Sequence, residues 1–336
     1  MPSSRSRFAS SSFSFVGIVP VLAVLGGATL FGCSSDGDDD VDPGVASSSG
    51  ASGEVGSSSG GGSSGETTSS SSGGTSSGGT GSSSGGASGG IACTSQGNLA
   101  VEAGAAPRQY CEAQEGESAF RFVLPAAPTG PMRLGIFLHG DELAGYEDDA
   151  ALEELLPWAD AHNTLMVSVQ APNGCSWWLG PQYSCVGLNL PADRENAMAN
   201  ADALVAVIEK FREAYDLDAG PVFFSSISGG STFLTYNFFA KYGNVYPGPL
   251  AVNCGGETPA AGTVTWDTTQ AMLRGATKMW FTIGANDDLL EYVDPAVAYF
   301  TGLQFPVFEN ILPDTGHCEF DTHGRTAAVW SSFLGE

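Results

Sequence analysis

The sequence predicts an α/β domain, a mainly parallel sheet with helices on both faces, behind an N-terminal leader and a low-complexity tether. Three observations carry this. From Ser118 onward, short apolar runs alternate with segments of helical periodicity. The runs are apolar along their length rather than at every second residue, as strands buried on both faces require. Residues with nucleophilic, acidic and basic chemistry follow the runs, at the carboxyl ends where sites on such sheets lie.

The elements follow in order. Ser118 to Val123 and Arg133 to Leu138 read as strands, parted by the Pro/Gly turn Pro125 to Pro131. Asp148 to His162 places Leu152, Leu155, Leu156 and Ala159 on one helical stripe, and Leu165 to Val169 is a short buried strand. Glu195 to Tyr215 is the clearest helix, with Ala199, Leu204, Val207, Ile208 and Phe211 in register. Val222 to Ser226 is the next strand, followed by a tight turn at Ser228 and a helix through Thr232 to Lys241. Leu250–Val252, Lys278–Ile283 and Phe305–Leu312 complete the sheet, and Thr326–Leu334 is the closing helix.

The first 32 residues read as an export signal: Arg5 and Arg7, then an apolar stretch from Phe15 to Leu30 broken by Gly17, Pro20, Gly26 and Gly27. The breaks argue against a membrane span. Leu30-Phe31-Gly32-Cys33 resembles the lipobox of bacterial lipoproteins, with Phe31 in place of the usual small residue. That resemblance implies a lipid on Cys33, and Ser34 behind it implies sorting to the outer membrane or cell surface. The alternative is ordinary secretion with Cys33 incidental. Residues 33–90 begin with Asp36, Asp38, Asp39, Asp40 and Asp42 and continue as almost pure Ser/Gly. Such a stretch has nothing to bury and predicts a flexible coil, with a reach of about 40 Å.

Residues 91–336 are globular in composition and long enough for one core. The chain carries 12 basic and 37 acidic residues, net −25. Setting aside Arg5, Arg7, the five Asp above, Glu54 and Glu66 leaves the domain 10 bases, 30 acids and a net of −20. That field repels phosphate backbones and anionic head groups, which excludes nucleic acid and leaves the lipid anchor as the membrane contact. The domain's six cysteines read as disulfides in an exported chain, although six allow about 15 connectivities. Cys175–Cys185 is the most local pair, Cys93–Cys111 staples the entry strands, and Cys254 is left for Cys318. No Cys/His spacing suggests zinc, and no cofactor is expected.

Literal G-x-S-x-G occurs at Gly56–Gly60, Gly61–Gly65 and Gly74–Gly78, inside the tether, where it reflects composition. The informative version is Ser226-Ile227-Ser228-Gly229-Gly230, with an apolar strand before it and a helix after. Among four histidines, His317 follows the last strand, His323 is the fallback, and His139 and His162 read as packing residues. Asp287 follows the strand that ends at Gly284, with Asp288 competing as the acid. Trp177, Trp178 and Tyr183 sit in the Cys175–Cys185 loop, to stack on a sugar or aromatic acyl group or to plug the loop's own core.

From about Ser118 the chain resembles the α/β-hydrolase superfamily, in which nucleophile, acid and base follow the order Ser228, Asp287, His317. Leu138-His139-Gly140, Trp158-Ala159-Asp160 before Leu165–Val169, the Cys/Trp loop and the three triad contexts are similar to exported polyhydroxybutyrate depolymerases and feruloyl or acetylxylan esterases. The departures are Ser226 for glycine and Asp141 after the His-Gly pair. The resemblance implies an oxyanion hole from the amide of Gly229 and that of Gly140 or Asp141, with the acidic side chain of Asp141 turned away or neutralised. It implies a serine hydrolase of carboxylic esters, short acyl, polymeric or sugar-linked. A peptidase or amidase on the same triad, and a non-catalytic surface-binding module, are the rivals.

Overall fold

The structure, a computed structural model, describes residues 90–101, 107–180 and 197–336. The expected leader and tether, residues 1–32 and 33–90, lie outside the described residues except for Gly90, as do Tyr183 and Cys185. Nine strands form one sheet among the described residues: β1 Ser95–Leu99, β2 Arg108–Glu115, β3 Ser118–Val123, β4 Arg133–Leu138, β5 Thr164–Val169, β6 Phe223–Ile227, β7 Pro249–Asn253, β8 Lys278–Gly284 and β9 Val307–Leu312. Their spatial order is β1-β2-β3-β5-β4-β6-β7-β8-β9. The entry strands β1, β2 and β3 pair antiparallel with one another, and β3 meets β5 antiparallel. From β5 across to β9 every pairing is parallel.

The parallel centre is buried on both faces, and its side chains alternate between two cores. Leu134, Ile136, Leu165, Val167, Phe224, Leu250 and Val252 join one core, under helix α2 (Met198–Ala214), helix α3 (Gly229–Phe233) with its continuation, and helix α6 (Leu290–Gly302). Met166, Phe223 and Ala251 point the other way, into a core closed by α1 (Ala150–Ala161) and α7 (Thr322–Leu334). Period-two alternation between two apolar layers is why these strands read as unbroken apolar runs. A buried Phe anchors each layer, Phe224 in the first and Phe223 in the second, and truncating one to Ala typically removes about 3–5 kcal/mol. The parallel centre, the antiparallel entry and helices on both faces are the α/β-hydrolase fold.

The sheet strands predicted from Ser118 onward are all present. The helix after Ser228 begins at once, at Gly229, and runs through a π-helical turn, Leu234–Phe238, into α4 (Phe239–Tyr242). The closing helix starts at Thr322 rather than Thr326, because Asp321 caps it: its carboxylate accepts the Gly324 N–H at 2.7 Å. Two helices, α5 (Ala271–Ala276) and α6, were not anticipated. In α6 the buried residues Val293, Ala296 and Phe300 carry helical spacing, but Pro295 interrupts the pattern.

Candidate active site

Each candidate residue stands just past a strand of the parallel centre. Ser228 follows β6 and occupies φ 48°, ψ −119°, a conformation that L-residues rarely hold and that stores about 1–3 kcal/mol of strain. It persists because its surroundings fix it. The Ser228 N–H donates to the Asn253 carbonyl at 3.0 Å, while the Ser228 carbonyl accepts from Ser231 and Thr232 of the following helix. A Cβ on Gly230 would lie 2.5 Å from the carbonyl oxygens of Leu138 and His139, so only glycine lets helix and strand approach this closely.

Ser226, where the related motif has glycine, is accommodated by hydrogen bonding. It is fully buried, and the Ser231 hydroxyl donates to its Oγ at 3.0 Å. The same network takes in Asn253, whose amide donates to the Ser226 carbonyl and to Thr326 Oγ1, each at 3.2 Å. Ser225 and Thr326 hydroxyls meet at 2.8 Å. The floor beneath the serine is therefore polar and paired throughout.

His317 lies in the loop after β9. Its Nε2 is 2.9 Å from Ser228 Oγ, and its Nδ1 is 2.9 and 3.0 Å from the two carboxylate oxygens of Asp287. Asp287 Oδ1 also accepts the Leu289 N–H at 2.9 Å. The Asp287 side chain is 1% exposed, whereas that of His317 is 45% exposed. Asp288 is exposed, and the carboxylate hydrogen-bonded to His317 among the described residues is that of Asp287. Gly284 makes the junction possible, since a Cβ there would sit 2.2 Å from the Thr315 carbonyl. The Asn286 N–H donates to that carbonyl at 2.9 Å, and the Gly316 N–H donates to Glu319 at 3.0 Å. A Cys254–Cys318 disulfide ties the loop to the end of β7. The other histidines stay apart. His323 is buried against Phe137 and its pKa is lowered by burial, with Asp321 and Asp148 opposing. His162 stacks near Trp158, 4.3 Å between ring centroids.

His139 is fully buried. Its Nε2 accepts the Ala171 N–H at 2.9 Å, so Nδ1 carries the proton and donates to the Gly140 carbonyl at 2.5 Å. Burial holds its pKa down at about 4. At the turn it supports, the Gly140 N–H is taken by the Ala144 carbonyl at 3.0 Å. Of the two amides expected there, that leaves Asp141 N–H without a partner among the described residues. Gly229 N–H, first in α3, has no intrahelical partner either. The Asp141 carboxylate is held, as it receives the Trp178 indole N–H at 2.8 Å and a short hydrogen bond from the Ser176 hydroxyl.

Of the two readings of the tryptophans, their burial favours the plug. Trp177 is fully buried and stacked on Phe233 at 4.9 Å, so it offers no face to a substrate. Trp178 is 8% exposed with its N–H spent on Asp141. The loop plugs its own core because Asn173 and Asn200 tie its backbone inward, Asn200 donating to the Trp177 and Leu179 carbonyls at 2.8 and 2.6 Å. Tyr183 lies outside the described residues. The sequence predicts the Asp141 side chain turned away or neutralised; it is instead held against Gly229 by two neutral donors. Disulfide Cys93–Cys111 is present, and Cys175 is disulfide-bonded while its expected partner Cys185 lies outside the described residues.

No family model matches the chain, and no curated protein matches it. Among solved structures, a thermostable esterase is similar at 16% identity and TM-score 0.46, over 66% of this chain and 59% of that one. The chain thus spans less than two thirds of that esterase's length. Acyl-protein thioesterase 2 from Zea mays is similar at 18% identity and TM-score 0.48, over 64% of this chain and 99% of that one. Est1E from Butyrivibrio proteoclasticus is similar at 12% identity and TM-score 0.44, over 67% of this chain and 98% of that one.

Proposed function

We propose that this domain is a serine hydrolase of carboxylic esters, working through Ser228, His317 and Asp287. The observation that carries the reading is the unbroken hydrogen-bond relay, Ser228 Oγ to His317 Nε2 at 2.9 Å and His317 Nδ1 to buried Asp287 at 2.9 Å. A positioned base makes a serine hydroxyl nucleophilic, and a buried carboxylate holds the imidazole in the tautomer that accepts at Nε2. Ser228 Oγ attacks the ester carbonyl while its proton passes to His317 Nε2. The carbonyl oxygen, now negative, is received by the N–H groups of Gly229 and Asp141. Collapse expels the alcohol, which takes the proton from His317 and leaves an acyl-enzyme. Water, deprotonated by His317, attacks the acyl carbon in turn, and the acid departs with Ser228 restored.

The finer reading is an exported esterase, held at the cell surface by a lipid on Cys33 and acting on short acyl, polyester or sugar-linked aromatic or acetyl esters. It is supported by the lipobox-like Leu30–Cys33, the Ser/Gly tether and the similarity to depolymerases and feruloyl esterases. Fluorophosphonate labelling tests the core of the proposal. Wild type should label at one serine, and Ser228→Ala should not. A folded wild type that does not label would move the assignment to a non-catalytic binding module. Matched ester and amide substrates separate an esterase from a peptidase, and the mass of the exported N-terminus tests the lipid.

A further inference from the structure

Asp141 follows the His-Gly pair and lies where an acidic side chain is least expected, against the turn that receives a developing negative charge. A Cβ on Gly229 would fall 2.0 Å from Asp141 Oδ1, so the carboxylate rests on the residue whose N–H stands beside Ser228. Its position is fixed. Oδ1 receives the Trp178 indole N–H at 2.8 Å and the Ser176 hydroxyl, and Ser176 is itself fully buried. Ser176 is clamped in turn by Asn173, which accepts its N–H at 2.8 Å and donates to its carbonyl at 2.9 Å.

Both donors to the carboxylate are neutral, so they orient the charge without cancelling it. Among the described residues, no ion pair includes Asp141 and Oδ2 has no hydrogen-bond partner. An asparagine here would accept the same two hydrogen bonds through its carbonyl oxygen and spare the oxyanion a negative neighbour. This fixed charge, without a counter-charge among the described residues, works against esters with anionic acyl chains and favours a cation, which is how specificity is built by repulsion as well as attraction.

We propose that Asp141 is a specificity-determining residue whose carboxylate forms an anionic subsite for an ester carrying an ammonium group a few bonds from the scissile carbonyl. This rests on the serine-hydrolase reading above, and it concerns the Asp141 side chain, whereas that reading uses only its N–H.

The test compares three nitrophenyl esters: a trimethylammonio-butyryl ester, its carbon isostere with a tert-butyl group in place of the ammonium, and a hemiglutaryl ester. Wild type should prefer the cationic ester to its isostere by about tenfold or more in kcat/KM, and turn over the anionic ester slowest. Asp141→Asn should erase most of that preference, raising the rate on the hemiglutaryl ester and lowering it on the ammonium ester. Fluorophosphonate titration of both proteins counts intact sites and keeps the comparison per active serine. Equal cationic-to-isostere ratios in wild type and Asp141→Asn overturn the subsite. Absent labelling of wild type overturns the hydrolase reading beneath it. Should Asp141→Asn fail to fold, Asp141→Ser replaces it in the same comparison, and a wild type that turns the cationic ester over no faster than its isostere rejects the proposal outright.

Discussion

The serine and the histidine of this site are held by opposite means. The serine turn is built into the core: Ser226, Ser231 and Asn253 are buried and hydrogen-bonded to one another, buried Ser225 joins them through Thr326, and the turn is closed against β4 through Gly230. The histidine loop, residues 313–321, has no buried residue and hangs from β9, the edge strand of the sheet. It is placed by a disulfide, the backbone hydrogen bond from Asn286 N–H to the Thr315 carbonyl, the Asp287–His317 hydrogen bonds and the close contact at Gly284. As the proposed nucleophile, Ser228 needs a strained backbone, which only a packed surrounding sustains. As the proposed base, His317 needs to reach solvent-borne substrate and exchange protons, which a buried ring cannot do. A rigid nucleophile and a tethered, half-exposed base follow from those separate demands.

The largest expected effect removes the groups both regions exist to hold. Ser228→Ala or His317→Ala should each lower kcat by about 10⁴-fold or more, the double variant little further, as for groups that act as a unit. Additive losses would mean the two do not work together. Next come the glycines at each junction. Gly230→Ala, which drives a Cβ onto two backbone carbonyls, should destabilise the whole domain, seen as a Tm drop of several degrees. Gly284→Ala meets the Thr315 carbonyl instead and should cost activity, about 10²-fold, with a smaller change in Tm. The reverse ranking would break the contrast between core-held and surface-held halves.

The disulfide sharpens it. Cys254→Ser/Cys318→Ser should lose activity, about tenfold, under conditions where circular dichroism shows a native fold, since the bond restrains a loop outside the core. Unchanged turnover would assign the loop's placement to the backbone hydrogen bonds alone.

The last effect is on stability rather than turnover, is one of pH, and belongs to the buried half. His139 is neutral in the fold with a pKa near 4, against an ordinary 6.5 when unfolded. A depressed pKa contributes stability that is fully present above pH 6.5 and is lost as pH falls toward 4, because only the unfolded chain takes up the proton. The loss should reach about 3 kcal/mol, measured by denaturant unfolding between pH 7 and 4. His323, lowered in the same direction by burial, adds to it. His139→Asn should be less stable at neutral pH yet show a flatter profile.

The serine half was legible in sequence because burial leaves a residue pattern: apolar strand, small residues, helix. Each strand from Ser118 was visible for the same reason. The entry strands β1 and β2 were not delineated, since SQGNL and RQYCEAQE are polar edge segments that bury only Leu99, Cys111 and Ala113. Ser226 looked like a defect in the motif, because composition does not reveal that Ser231 lies within hydrogen-bond distance of it. Trp177 and Trp178 were ambiguous because burial of a loop depends on side chains far off in sequence, here Asn200 and Phe233. Asp287 and Asp288 were separable only by which of the two turned inward.

The base arrives by way of the last strand, and the polar floor under the serine is completed by Thr326 of the last helix. During synthesis, Ser228 and Asp287 therefore emerge long before anything can activate them. Any chain ending ahead of β9 and α7 holds an inert hydroxyl over an unfinished floor. In the proposed mechanism, chemical competence therefore arrives late and all at once.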